Sequence, residues 1–179
     1  LAANASAQTW PDKPVKWVLS QPPGSGPDNV ARILADRLSK AWSQAVVIEN
    51  KPGGQNTIGA QAAARSRADG SSFYFATTAA LVTTPLLFKT LPYDPAKDFV
   101  PVALLTAATN VIAAHPSLPP NNLKEFIAYA KSNPGKLNFA SQGNGSLSHV
   151  GTALLEQTTG IEMTHVPYRG SAPLTTDLL

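Results

Sequence analysis

The stretch SQPPGSGPD, residues 20–28, decides how the first part of this chain folds. The apolar run Val15–Leu19 leads into it, and a helical pattern begins at Asp28, a residue type that favours the N-cap position. Glycine lets main-chain N–H groups approach a ligand closely, and a helix start adds unpaired N–H groups. Such a loop binds an anion without needing a charged side chain. We therefore predict an anion-binding half-site here.

A second stretch, SQGNGSLSH at residues 141–149, repeats the order of strand, Gly-rich turn and helix. Neither stretch contains lysine or arginine, which suits binding through amides and bridging water. We predict that the two loops form the two halves of a clamp for a small carboxylate.

Alternating elements predict an α/β fold. Strands expected at 15–20, 46–50 and 72–78 are separated by helices that begin at Asp28 and Thr57, and the second helix is expected to run to Arg67. This βαβαβ order predicts a parallel sheet with right-handed crossovers. Ligands of such sheets bind outside the carboxyl ends of the strands, so the loops that follow the three strands should share one rim. These loops cover residues 21–28, 51–56 and 77–84.

The remaining pattern predicts a second lobe. Asn122 and Glu125 have capping-box spacing, and we expect Val150 and Leu154 to face inward from a helix. The expected strands are 99–105, 110–114, 137–140 and 163–166, and the expected helices are 81–89, 123–132, 147–159 and one that starts near 171. We assign 10–105 to lobe one and 106–179 to lobe two. Lobe two has two complete βα units and the start of a third, so we expect it to be incomplete.

Composition excludes several classes of function. The chain has 179 residues with a net charge of +3, only 14% charged residues and no run of Lys or Arg, which argues against nucleic-acid binding. The absence of cysteine excludes disulfides and thiolate metal sites. Dinucleotide, P-loop and zinc motifs are also absent, so we expect neither cofactor nor metal. No apolar stretch approaches the roughly 20 residues needed to span a membrane, and we expect a protein that is not membrane-embedded.

Residues 1–9 carry a different kind of pattern. Ala5-x-Ala7 has the small-x-small spacing of a signal-peptidase site. The segment is either the remnant of a signal peptide or an alanine-rich disordered terminus. The first interpretation predicts export, to the periplasm in a bacterium.

One pair of residues raises an enzymatic alternative. Ser146 and His149 stand at i and i+3 at a helix start, so their side chains could meet as nucleophile and base of a serine hydrolase. No nucleophile-elbow motif surrounds Ser146. The competing interpretation, which we favour, gives Ser146 the role of helix cap. Arg169 also has two interpretations, as a direct partner of a ligand carboxylate or as a solvated surface arginine.

Six short motifs in order resemble a known family, the periplasmic solute receptors of tripartite tricarboxylate transporters, also called Bug proteins. The motifs are WPDKP (10–14), PPGSGPD (22–28), ENKPG (49–53), LPYDP with a following DF (91–99), GNGSLSH (143–149) and HVPYRG (165–170). Each motif is weak alone, but six in register are specific.

The resemblance implies a two-lobed Venus-flytrap fold with parallel or mixed sheets. It implies a receptor, not an enzyme, that captures a small organic anion in the periplasm and passes it to membrane permease subunits. We separately expect a monomer. A ligand-binding sensor domain stays open as an alternative. Carried over from the family, the ligand residues of lobe one are Gln21, Gly24, Ser25, Gly26 and Asp28, with additions from Asn56, Thr77 and Thr78. Those of lobe two are Ser141, Asn144, Gly145, Ser146 and His149, with Tyr168 and Arg169 nearby.

Two residues depart from the family pattern. Gln21 stands where an aromatic residue is common, and Ser25 stands where glycine is common. Both changes add polar side chains to the expected pocket, so the identity of the ligand does not transfer from the family.

Overall fold

The computed structural model describes residues 10–179, and the predicted signal remnant at 1–9 lies outside the described residues. Contacts within the chain divide it into two compact units, one up to Thr77 and one from Thr78 to Leu179. The expected boundary between lobe one and lobe two, after residue 105, stays a prediction.

The first unit has the predicted βαβαβ order. Its elements are β1 (Val15–Leu19), α1 (Gly26–Trp42), β2 (Val46–Asn50), α2 (Thr57–Ala64, after a single 3-10 turn at Gly54–Asn56) and β3 (Ser72–Phe75). The three strands are parallel in the order β2-β1-β3, which makes β1 the central strand. The third strand and the second helix each end three residues earlier than the pattern predicts.

The central strand forms the core of this unit. Val15, Val18 and Leu19 are fully buried and Trp17 is 7% exposed, as expected of a strand covered on both faces. Ala31 of α1 and Phe75 of β3 complete the buried cluster. The buried hydrophobic residues of β1 therefore end at Leu19, directly before the loop at 20–28. The packing of the strand thus fixes the position at which this loop begins.

The N-cap of α1 is Ser25, and the prediction that Asp28 caps the helix is wrong. The Ser25 side chain accepts the Asp28 N–H, and Pro27 occupies the first turn, where its missing N–H costs nothing. Asp28 is then the third residue of the helix. Both residue types favour N-caps, and only the position of the proline in the first turn separates them.

The second unit contains two parallel strands and four helices. A π-type turn at Ala79–Thr83 precedes α3 (Thr84–Leu87), and the chain continues with α4 (Leu123–Ser132), β4 (Leu137–Ser141), α5 (Leu147–Thr159), β5 (Met163–Pro167) and α6 (Ser171–Leu178). The register of β4 and β5 runs from Leu137 opposite Met163 to Ser141 opposite Pro167. Asn122 caps α4 as the spacing predicts, because its side-chain oxygen accepts the Glu125 N–H (3.0 Å). The Glu125 carboxylate in turn accepts from the Asn122 side-chain amide (2.8 Å) and from the Asn121 N–H (2.9 Å). None of the helices among residues 10–179 is both long and apolar enough to cross a bilayer.

Two predictions for this unit are wrong. The segments 99–105 and 110–114 are not strands, and Val100, Leu104 and Val111 are more than 80% exposed. A strand forms only where a neighbour accepts its hydrogen bonds, and no strand of the described chain pairs with these segments. Val150 and Leu154 of α5 are 39% and 58% exposed, because a sheet of two strands covers little of the helix.

A buried carboxylate ties the first loop to the sheet. The Asp28 side chain is 1% exposed. Its Oδ2 accepts the Gly24 N–H (2.8 Å) and the Arg32 Nε–H (2.9 Å), and its Oδ1 accepts from Arg32 Nη2 (3.1 Å) and Asn50 Nδ2 (2.8 Å). The second Asn50 N–H reaches the main-chain oxygen of Gln21 (2.9 Å). One carboxylate thus fixes the loop, the first turn of α1 and the end of β2 together.

We expect Asp28→Asn to lower the free energy of unfolding by about 1–3 kcal/mol, because the amide nitrogen cannot accept the N–H groups that one carboxylate oxygen accepts. Urea unfolding measures the change. Asp36→Asn is the matched control, since Asp36 pairs with Lys40 on the exposed face of α1 and should change stability by less than about 0.5 kcal/mol. Equal effects of the two substitutions would contradict a special role for the buried carboxylate.

The same carboxylate predicts a dependence of stability on pH. Burial raises the pKa of Asp28, but hydrogen bonds from Arg32, Asn50 and Gly24 and the charge of Arg32 together lower the pKa below its ordinary value. A lowered pKa in the folded state contributes stability above the unfolded pKa of about 3.9, and that stability is lost as pH falls through the folded pKa. We therefore expect the stability difference between the parent and Asp28→Asn to shrink in acid. A difference that stays constant from pH 6 to pH 3 would contradict this prediction.

Candidate functional site

The rim of the first unit brings together three loops. Gln21 follows the central strand, and its Nε2 donates to Asn56 Oδ1 (3.0 Å) and to Thr77 Oγ1 (3.2 Å). Asn56 follows β2 and Thr77 follows β3. The three residues predicted to line one rim therefore meet there, and Gln21 bridges its two neighbours.

Residues that the sequence interpretation missed hold the loops of this rim in place through hydrogen bonds and close packing. The Ser20 hydroxyl donates to the main-chain oxygen of Asn56 (3.0 Å) and lies 2.5 Å from the Tyr74 hydroxyl. A Cβ at Gly59 would come within 2.8 Å of the Ser20 Cα, so only glycine lets α2 pack this closely against the end of β1. The alternation of side chains along β3 could have indicated which face of the sheet Tyr74 lies on. Its contact with Ser20, 54 residues away, depends on the pairing of the strands and was not predictable from the sequence.

The loop at 20–28 uses most of its polar groups internally. The Gly24 N–H donates to the Asp28 carboxylate, and the Ser25 side chain caps α1. The Gly26 N–H has no partner among residues 10–179 and is exposed at the helix start. Of the residues predicted to bind ligand here, Gly26 offers a free main-chain donor, whereas Asp28 and Gly24 shape the loop.

The second loop is held by a buried serine and a histidine. Ser141 is fully buried, and its Oγ lies 2.6 Å from His165 Nε2 and accepts the Gly143 N–H (3.1 Å). Burial, and then the charge of His149, lower the pKa of His165, which favours a neutral imidazole. His165 was missed by the sequence interpretation. The pairing of the two predicted strands, which places Phe139 opposite His165, could have indicated that His165 lies near the end of β4 where the loop begins.

A second histidine supports the same loop. His149 Nδ1 accepts the Gly145 N–H (3.1 Å), and its ring stacks on His165 with centroids 4.2 Å apart. The ring of Phe139 stacks on His165 with centroids 4.7 Å apart. A Cβ on Gly145 would lie 2.6 Å from Leu87 Cδ1, so this position admits only glycine without a shift of Leu87.

Ser146 has the capping role that we favoured. Its Oγ accepts the His149 N–H (3.3 Å) and lies 3.0 Å from the Ser148 hydroxyl. Because Nδ1 of His149 already accepts a main-chain N–H, that nitrogen is not available to activate the Ser146 hydroxyl. The geometry favours a helix cap over a nucleophile.

The remaining predicted residues of the second unit present polar groups to solvent. Asn144 and Arg169 are exposed, and their side chains have no partner among the described residues. Tyr168 is different, because its hydroxyl donates to Asp177 (2.7 Å) while its N–H donates to the Ser141 oxygen (2.9 Å). Thr78 is an exposed residue at the start of this unit, without a capping hydrogen bond from its side chain. Within residues 10–179 no cluster of three His, Asp or Glu side chains could hold a metal ion.

Comparison with known proteins places this chain in a family. Residues 30–179 match the model of the tripartite tricarboxylate transporter family receptor. A UPF0065 protein of Bordetella bronchiseptica is 38% identical over 98% of this chain and 52% of its own length. Protein BugT of Bordetella pertussis is 36% identical over the whole chain and 55% of its own length. The chain thus spans about half the length of the curated relatives it matches.

Solved structures share the fold. An R. palustris protein solved with adipate is 37% identical with a TM-score of 0.91, and 94% of this chain aligns with 56% of it. MatC from Rhodopseudomonas palustris, solved with bound malate, is 32% identical with a TM-score of 0.81, and 94% of this chain aligns with 57% of it. The fold is therefore the α/β fold of periplasmic binding proteins. With a family model that matches most of its residues, this chain belongs to the tripartite tricarboxylate transporter receptor family.

Proposed function

We propose that this protein binds a small organic carboxylate as a periplasmic solute receptor. The observation that carries the proposal is that each unit contains a serine-capped helix whose first N–H groups have no partner in the described chain. These groups belong to Gly26 in α1 and to Leu147 and Ser148 in α5. A helix start of this kind favours an anion through its N–H groups and its dipole.

The shape of the loops supports binding without large rearrangement. The Asp28 network fixes the first loop, and the Ser141, His149 and His165 contacts fix the second. A site that is shaped before the ligand arrives loses less conformational entropy on binding. Neutral donors hold an anion less strongly than a cluster of cations would, which suits a receptor that must release its ligand.

Arg169 supplies a positive charge beside the second loop. It directly follows Tyr168, whose main chain is bonded to the first residue of that loop. Its guanidinium has no acidic partner among the described residues, and guanidinium is suited to bidentate contact with a carboxylate. We assign Arg169 to ligand attraction and contact.

The relatives agree with a carboxylate in this class of site. One structure was solved with adipate and another with malate, both small dicarboxylates. We further propose that the complete protein acts as a monomer and delivers its ligand to the membrane subunits of a tripartite transporter. This role is taken from the family description, and we propose a receptor and not an enzyme.

Binding of a carboxylate should raise the thermal stability of the protein. A ligand that binds only the folded state, at a hundredfold excess over its dissociation constant, stabilises by about 2.7 kcal/mol. We expect a rise in Tm with one class of acid in a panel of mono-, di- and tricarboxylates, and none with the matching neutral amides. A cooperative transition that no acid shifts would contradict the proposal. Hydrolysis of activated esters that disappears in Ser146→Ala would instead support the hydrolase.

Replacing Arg169 tests its contribution to binding. We expect Arg169→Gln to weaken binding by about three- to tenfold, because a charge-assisted hydrogen bond is lost while the fold is untouched. Isothermal titration calorimetry with the acid found in the panel measures the effect. Arg37→Gln removes the same charge from the exposed face of α1 and should leave affinity within about twofold. Equal losses in the two variants would mean that only net charge matters.

A further inference from the structure

The loop between β4 and α5 is held by hydrogen bonds from its own main-chain N–H groups. The Gly143 N–H donates to the Ser141 hydroxyl (3.1 Å), and the Ser146 N–H donates to the main-chain oxygen of Gly143 (3.1 Å). The Gly145 N–H instead donates to Nδ1 of His149 (3.1 Å). Hydroxyl and carbonyl oxygens keep their lone pairs at any ordinary pH, whereas an imidazole nitrogen loses its lone pair when it takes up a proton. Of these three contacts, the one from Gly145 is therefore the one that acid can remove.

The direction of this hydrogen bond defines the state of the His149 ring. A ring nitrogen that accepts an N–H carries no proton, so the ring is neutral and its single proton lies on Nε2. A second proton, on Nδ1, would point at the Gly145 N–H across the 3.1 Å between the two nitrogens. Two donors cannot share a hydrogen bond, so protonation of His149 breaks this support of the loop.

A second imidazole makes the same region sensitive to charge. The ring of His165 stacks on that of His149 with centroids 4.2 Å apart, and its Nε2 lies 2.6 Å from the Ser141 hydroxyl. Burial and the charge of His149 lower the pKa of His165, while the charge of Glu156 raises it. Two positive rings in stacking contact repel each other, so a proton on one ring opposes a proton on the other and weakens the stack.

The elements around the two rings hold no carboxylate paired with them. Neither β4 nor α3 contains a titratable side chain. On α5, Glu156 accepts the Met163 N–H (2.7 Å), and on α6, Asp177 accepts the Tyr168 hydroxyl (2.7 Å). Among residues 10–179 neither carboxylate forms an ion pair with a histidine. A protonated ring would thus gain little from its surroundings and lose its neutral contacts.

We infer that His149 and His165 form a pH-sensitive latch, which holds the loop at 141–146 while both rings are neutral and releases it when they take up protons. His149 is a positioning residue, because it acts on the loop through Gly145. Imidazole ordinarily changes its charge between about pH 5 and 8, so the latch responds in that range. The consequence for binding rests on the proposed function: a carboxylate held at this loop should bind more weakly in acid.

Solution NMR of the protein without added ligand tests the latch directly. As the pH falls from about 8 to about 5, we expect the Gly145 amide resonance and the ring protons of His149 to move with one common midpoint. In His149→Asn the side-chain oxygen can accept the Gly145 N–H but takes up no proton, so the Gly145 resonance should stay in place. His165 should then titrate at a higher pH than in the parent, because the charge of His149 is gone.

The third histidine of the chain supplies the matched control. His115 is exposed, and its Nδ1 lies 2.7 Å from the Ser117 hydroxyl. His115→Asn removes one imidazole as His149→Asn does, and it should leave the titration of Gly145 unchanged. If His149→Asn does not fold, the parent alone decides, since the midpoints of Gly145 and His149 are compared within one protein.

Calorimetry with malate and with adipate tests the consequence for binding. For each protein, the dissociation constant at about pH 5.5 is divided by that at about pH 7.5. We expect this ratio to be at least about threefold larger in the parent and in His115→Asn than in His149→Asn, because only the first two lose a hydrogen bond of the loop in acid. The titration of the added acid itself is common to all three proteins and cancels.

The outcomes separate the latch from the proposed function. A Gly145 resonance that does not move with His149, or that titrates equally in His149→Asn, overturns the latch. Binding that grows stronger in acid through His149 also overturns it, since the protonated ring would then act as a cation for the carboxylate. If no carboxylate binds at either pH, the proposed function fails, while the NMR titration still decides the latch.

Discussion

The carboxylate of Asp28 is the interaction on which the first unit depends. Each of its two oxygens accepts two hydrogen bonds, from Gly24, Arg32 and Asn50. Through Asn50 the same network reaches the main chain of Gln21. A buried carboxylate with all its acceptor positions filled is strongly ordered, and removing one partner would leave an unpaired group in the interior. The loop is therefore shaped by the protein and not by a ligand.

The second unit reaches a similar result with different chemistry. Its loop is held by two stacked imidazoles, one bonded to the Ser141 hydroxyl and the other to the Gly145 N–H. Both contacts are made by side chains from elements that flank the loop, as Arg32 and Asn50 do in the first unit. In both units these internal contacts hold the loop, and within residues 10–179 the first N–H groups of the following helix have no partner. Under the proposed function, these N–H groups would contact the anion while other groups support the loop.

Much of the fold was predictable because it is locally encoded. The βαβαβ order followed from apolar runs separated by helical periodicity, and the capping role of Ser146 followed from its position before α5. The prediction for Asp28 failed because Ser25 and Asp28 both suit a helix start, three residues apart. The predicted strands at 99–105 and 110–114 failed for a different reason, since β-propensity favours an extended chain but a strand needs a partner.

The sequence alone determined the alternation of elements, the Gly-rich turns and the caps, because these depend on residues within a few positions of one another. It also carried the six motifs that resemble the receptor family. Only the tertiary structure decided which atoms of the predicted site are free. Among the described residues, the Gly24 N–H donates to Asp28 while the Gly26 N–H has no partner, and the Gln21 Nε2 donates to Thr77, 56 residues away. Contacts at such separation exist only after the parallel sheet has aligned the ends of its strands, so spacing along the chain cannot reveal them.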